Sequence, residues 1–180
     1  MTGQKKGSVE KNAPWLNEEE REGWLFLCSV FFSLPGQLEN QLQRDSDLSF
    51  VEYMVLAMLS EANNHALTMT ELAQQTNTLL PRLSRVVSRL EKDNFVERSV
   101  WSKDRRVSIC HLRPEGLQKV QDAALGHVME VRRQIFNRLG ARQVKQLAKI
   151  GESVLGARPS EVINVSNTTD LSDSVPLREQ

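Results

Sequence analysis

Apolar positions along this 180-residue chain recur mostly at helical spacing. Asn17 followed by Glu18, Glu19 and Glu20 reads as a helix start, a cap with acids at the positive end of the helix dipole. Leu27, Phe31, Leu34, Leu38 and Leu42 then recur at steps of 4, 3, 4 and 4, which predicts an amphipathic helix. Pro35-Gly36 falls inside it, and a kink or break is expected there. Ser49 opens a second helix carrying Val51, Met54, Val55, Met58 and Leu59, and Asn63-Asn64-His65 reads as a turn. Thr68 with Glu71 has the spacing of a capping box, and Leu72 and Ala73 give the short helix that follows an inner face.

The next helix, 80–93, has two distinct sides. Pro81 suits its first turn. At about 100° per residue, Leu80, Leu83, Val86, Val87 and Leu90 share an arc of roughly 120°. Arg82, Arg85, Arg89, Ser84 and Ser88 fall on the other side, so three guanidiniums stand with two small hydroxyls between them. Asn94 sits where the helix should end, in a position that tolerates left-handed backbone. Phe95 to Trp101 and Val107 to Leu112 are rich in β-branched and aromatic residues and read as strands. The short link Ser102-Lys103-Asp104-Arg105-Arg106 makes them a hairpin with a charged tip. Pro114-Glu115 starts a long helix to about Arg138, Gly140 breaks it, and a last helix runs from Ala141 to Leu155.

Composition fits a soluble globular protein, 39% hydrophobic and 26% charged. Cys28 and Cys110 cannot form a disulfide framework and suit a reducing compartment. The longest apolar stretch, Trp24 to Phe32, is nine residues, against about 20 for a membrane span. The N-terminus has no apolar region of a secretion signal, so a cytoplasmic protein is expected. Residues 1–13 and the segment from Pro159 onward read as disordered tails. Asn164-Val165-Ser166 and Asn167-Thr168-Thr169 match the glycosylation pattern, by chance where no secretion signal precedes them.

Charge becomes informative once it is divided along the chain. The chain is neutral as a whole, with 23 basic and 23 acidic residues. Residues 1–60 carry a net −4, whereas residues 79–113 carry a net +5. A neutral protein with one basic segment can have a directed electrostatic footprint, although a solvated helix face and a charged loop would give the same count.

The order of elements is that of a winged helix-turn-helix, mainly α with a small β-hairpin wing. A helix fits the major groove of double-stranded DNA, arginine pairs bidentately with guanine edges, and small serines permit close approach. A thin hairpin with arginine at its tip reaches the minor groove. The flanking helices are too apolar for so small a domain to cover, and a two-fold homodimer through the N- and C-terminal helices would bury them. Such a dimer would read a pseudo-palindromic operator.

The stretch 67–116 resembles the winged-helix core of the MarR family of bacterial transcriptional regulators. The resemblance rests on ELA at 71–73, SR at 84–85, RLE at 89–91, VER at 96–98, DRR at 104–106 and L-x-x-x-G at 112–116. It implies that Arg85 sits on the recognition helix, that Arg106 enters the minor groove, and that Asp104 steadies the wing by pairing with arginine. It also implies a homodimer, with repression relieved by a small aromatic ligand in many members and by oxidants in others. Three positions depart from the family pattern: Asn94 replaces the usual Gly, Arg113 the usual Thr, and Leu79 the usual Ser or Thr. The last leaves Thr78 as the expected cap and bears on which bases are read.

Other candidates carry weaker signals. Arg82 is a candidate base contact, and Arg89 either touches phosphate or forms an intramolecular pair. Lys103 and Arg105 are read as phosphate contacts. Trp24, Phe31, Val55 and Met58 could line an effector pocket, although dimer core is the favoured reading. Cys28 occupies the helix where oxidant-sensing members carry a reactive thiol. Its neighbours are apolar and the only nearby charges acidic, which favours a structural cysteine, with Tyr53 as the one candidate helper. Cys110 reads as packing. His65, His111 and His127 lack metal-ligand spacing, so no metal or cofactor is expected, and no phosphate loop or nucleophile elbow points to an enzyme.

The expected division is therefore a tail at 1–15, a dimerisation helix at 16–48, a DNA-binding lobe at 49–113, dimerisation helices at 114–157 and a tail at 158–180. The function expected is a sequence-specific double-stranded DNA-binding repressor. A winged-helix module binding an acidic protein partner, or a Cys28-based oxidant sensor, are the alternatives.

Overall fold

The computed structural model describes residues 15–156. Apart from Trp15, the expected tails and both glycosylation patterns lie outside the described residues. The chain divides between Pro35 and Gly36 into two compact units.

The first unit is the N-terminal part of helix α1 (Glu18–Ser46). Asn17 caps it reciprocally: its Oδ1 accepts from the Glu20 amide at 2.9 Å, and its own amide donates to Glu20 Oε2 at 2.8 Å. Here Trp24, Phe26, Val30, Phe31 and Phe32 are all exposed. The break expected at Pro35 does not occur, because α1 runs through it as one helix. Proline removes a single amide donor, and in a 29-residue helix the hydrogen bonds on either side carry the ladder past it.

The second unit begins with the end of α1, whose Leu38, Gln41 and Leu42 are buried. Helix α2 (Phe50–Glu61) opens with a capping box between Ser49 and Glu52, and α3 (Met69–Gln75) opens with another between Thr68 and Glu71. A 3₁₀ turn at Asn63–His65, with Asn64 and His65 in left-handed backbone, separates α2 from a short strand β1 (Ala66–Thr68). Helix α4 (Leu80–Lys92) is followed by strands β2 (Val96–Val100) and β3 (Ser108–Leu112), then α5 (Pro114–Gln134) and α6 (Ala141–Leu155).

The sheet has three antiparallel strands in the order β1-β3-β2, so the expected two-stranded hairpin gains a third strand. Leu67 and Arg98 both lie opposite Cys110. The three residues of β1 are all buried, which leaves no alternation for a sequence reading to find. Helix α5 ends at Gln134, earlier than the expected Arg138. Ile135 leaves helical backbone, and Phe136–Arg138 form a 3₁₀ turn.

One core joins the elements. Val55, Leu56 and Leu59 of α2 pack with Leu72 of α3, Leu83, Val87 and Leu90 of α4, and Cys110 of β3. Val120 and Ala123 bring α5 onto the same cluster. Leu80, placed by periodicity on the buried arc, is instead 47% exposed, being the first residue at the free end of α4.

Gly116 explains one motif in this frame. A Cβ there would lie 2.1 Å from the Phe95 carbonyl oxygen, which also accepts the Arg113 amide at 3.0 Å. The start of α5 can therefore meet the segment after α4 only where no side chain intervenes. Gly116→Ala should lower stability by about 3 kcal/mol or more, read as the urea midpoint at fixed protein concentration. A loss below about 0.5 kcal/mol would contradict the close approach.

Candidate nucleic-acid interface

Helix α4 is seated by Leu83, Val87 and Leu90, which are fully buried. Leu79 occupies its N-cap position, with no side-chain cap bond. The Thr78 hydroxyl expected to serve there donates instead to the Thr76 carbonyl at 3.0 Å. At the other end Asn94 is left-handed (φ 61°), and the Phe95 amide reaches back to the Leu90 carbonyl at 2.9 Å. Core contacts and this stop place the helix so that Arg82 and Arg85 point to solvent. Neither guanidinium forms a hydrogen bond or ion pair among the described residues.

Apart from the exposed Lys92 in the last turn, the remaining polar residues of α4 are committed to the protein. Arg89 Nε lies 3.2 Å from Glu52 Oε1, so of the two readings of Arg89 the intramolecular pair forms. Its partner Glu52 is buried and also accepts the Ser49 amide at 2.8 Å. Ser84 and Ser88, read with the arginines as DNA-contacting residues, bond toward β2. Their hydroxyls accept from the Arg98 guanidinium at 3.4 and 2.9 Å. Glu91 completes the same stripe: its carboxylate takes the Arg98 amide at 3.0 Å and pairs with the guanidinium. Positions 84, 88 and 91 are spaced 4 and 3, so they share a flank of the helix distinct from the arginines. That pairing holds Arg98 charged, raising its pKa.

The wing closes through the Trp101 amide, which donates to the Val107 carbonyl at 2.9 Å. At its tip Asp104 accepts the Arg106 amide at 2.9 Å and grips the guanidinium through both oxygens, at 3.1 and 3.0 Å. Hydrogen bonding to Arg106 pulls the Asp104 carboxyl below its usual range and pushes Arg106 above its own. The Arg106 side chain nevertheless stays 90% exposed, so the pair aims the cation without hiding it. Arg105 is exposed beside it, and Lys103 Nζ stands 5.9 Å from the Trp101 ring centroid.

The other candidates are placed differently. Val55 and Met58 are buried in the core of the second unit, while Trp24 and Phe31 are exposed on the first. Cys28 is half-buried on α1. Cys110 is fully buried, and burial pushes its thiol up to about 12. Sequence reasoning missed two residues, Glu52 and Arg98. The stripe at 84, 88 and 91 was a usable signal for Arg98. Glu52 was hidden by its position three residues after Ser49, where capping alone accounts for it.

A seated helix with two outward arginines, beside a wing carrying a presented arginine, is the arrangement of winged helix-turn-helix regulators. The MarR family model matches residues 48–108. Sco3205 from Streptomyces coelicolor, a MarR family transcriptional regulator solved in complex with DNA, is 38% identical. That likeness covers 82% of this chain and 96% of the other, with a TM-score of 0.75. AbsC, a MarR family regulator from the same organism, is 32% identical over 80% of this chain and 99% of its own, with a TM-score of 0.73. The repressor YetL of Bacillus subtilis is 29% identical over 47% of this chain and 50% of its own length. The match spans about half the length of the curated relatives. The chain belongs to the MarR family of transcriptional regulators, a family of regulators and not of enzymes.

The Arg98–Glu91 pair is testable in isolation. A double-mutant cycle with Glu91→Gln and Arg98→Met should give a coupling of about 1–2 kcal/mol in urea denaturation. Coupling within about 0.3 kcal/mol would mean that the pair does not fasten wing to helix.

Proposed function

We propose that the chain is a sequence-specific regulator that binds double-stranded DNA as a homodimer, with α4 in the major groove and the wing in the minor groove. The observation that carries this reading is the set of outward cations. Arg82 and Arg85 are exposed with no protein partner among the described residues, and Arg106 is held outward by Asp104. A guanidinium left unpaired on a rigid helix suits bidentate contact with guanine, and one at a thin wing tip suits the negative potential of the minor groove. Lys103 and Arg105 flank the wing tip as phosphate contacts. That Sco3205 was solved on DNA supports the same assignment.

The homodimer accounts for apolar surface that would otherwise be costly in water. Phe26, Phe31 and Phe32 of α1 are exposed, as are Met129 of α5 and Leu147, Ile150 and Val154 of α6. A two-fold pair would cover such faces and set two reading helices one DNA turn apart, which calls for a pseudo-palindromic operator. Repression in the cytoplasm, relieved by a small aromatic effector, is the regulatory sense we assign. Exposed Trp24 offers that effector an aromatic surface. Release requires the effector to bind the non-DNA-binding state more tightly.

Fluorescence anisotropy on duplex DNA from upstream of the chain's own gene, against a scrambled duplex, tests the reading. Arg85→Ala and Arg106→Ala should each weaken binding to the native duplex about tenfold or more, with melting temperature unchanged to about 2 °C. Wild-type affinity in either variant would remove that residue from the interface. Equal binding of the wild type to both duplexes would favour a protein partner.

A further inference from the structure

Among the described residues from 49 to 113, the large apolar side chains left exposed are Leu79, Leu80 and Val100. Two of the three stand together at the start of α4. Leu79 is 80% exposed and Leu80 47%. The Leu79 side chain serves neither of the usual purposes at this place. It cannot cap the helix, whose Arg82 and Leu83 amides bond only to its backbone carbonyl, both at 2.9 Å. It does not join the core either, which begins at Leu83.

Two further features of this corner restrict what could cover it. The surroundings are cationic: no acidic residue lies between Glu71 and Glu91, and Arg82 and Arg85 follow within two turns of the helix. The leucines and Pro81 also line an open, shallow depression, together with Ala73 and polar residues that include Gln74 and Asn77. An exposed apolar corner inside a basic face calls for an apolar group carried by a polyanion. On the floor of the major groove that group is the 5-methyl of thymine. The first residues of a recognition helix are those that meet base edges, which puts Leu79 and Leu80 at the needed depth.

We propose that Leu79 and Leu80 are specificity-determining residues that select thymine through its 5-methyl group, beside the guanine contacts of Arg82 and Arg85. This rests on the DNA-binding reading above and adds a base preference to it. Each half-site should then contain thymine adjoining the positions read by arginine. Removing a single buried methyl should cost about three- to tenfold in affinity.

The test begins with a duplex selected by the full-length wild-type protein from a random-sequence pool. Each thymine of that duplex is replaced in turn by deoxyuridine, which deletes only the methyl, and affinity is read by anisotropy. A three- to tenfold loss is expected at one or two thymines per half-site. That loss should disappear in Leu79→Ser or Leu80→Ser. Leu79→Ser restores a capping hydroxyl, so it should melt at or above the wild type, and misfolding cannot mimic the result. If deoxyuridine is tolerated within twofold at every position, or the loss persists in full in both variants, the assignment to these leucines is overturned. Selection of no sequence at all would overturn the DNA-binding reading and this one with it.

Discussion

The geometry of the reading face depends on how α4 is held by ion pairs on two sides. Glu52, buried at the start of α2, takes Arg89 on one flank. Glu91 takes Arg98 from β2 on the other, with Ser84 and Ser88 sharing the same guanidinium. Apolar burial of Leu83, Val87 and Leu90 seats the helix but is tolerant of small rotations about its axis. The directional, charge-assisted bonds of Arg98 are not, and the Arg89–Glu52 ion pair adds a second tie. They set the angle at which Arg82 and Arg85 leave the protein and the offset between helix and wing.

The same pairs sort the basic segment. Residues 79–113 hold nine Lys and Arg, and ion pairs within the protein occupy Arg89, Arg98 and Arg113. Arg106 is also paired, yet its partner Asp104 serves to point it outward. What remains on display is Arg82 and Arg85 toward the start of the helix, Lys92 in its last turn, and a cationic wing tip. Net charge alone shows that a basic face exists, but packing decides which cations belong to it. Division of labour between structural and displayed arginines is therefore a property of the fold.

Much of this was legible in the sequence because its signals are local. The caps at Asn17, Ser49 and Thr68 act over three residues, and Asn94 marks a stop by its own backbone tolerance. Gly116 belonged to a readable motif, although its reason, the Phe95 carbonyl, becomes visible only in three dimensions. What escaped depends on partners distant in sequence. Strand β1 exists because β3 pairs with it across more than forty residues. The roles of Ser84 and Ser88 depend on Arg98, and the fate of Arg89 on Glu52. At Pro35 the helix continues without a break for another reason: a helix this long absorbs one missing donor. At Leu79 the departure from the family pattern was visible, but only exposure of the side chain showed that no cap replaces it there.

If α4 and the wing act as one rigid reader, loosening their joint should cost specificity before it costs general affinity for DNA. Arg98 is the residue to change, because it carries the joint and is itself directed toward α4. The most direct measurement is the ratio of affinities of Arg98→Met for the selected duplex and for a scrambled one, relative to wild type at the same salt. This ratio should fall about tenfold, through weaker binding to the selected duplex, while scrambled DNA is held as before. An unchanged ratio, or an equal loss on both duplexes, would contradict it.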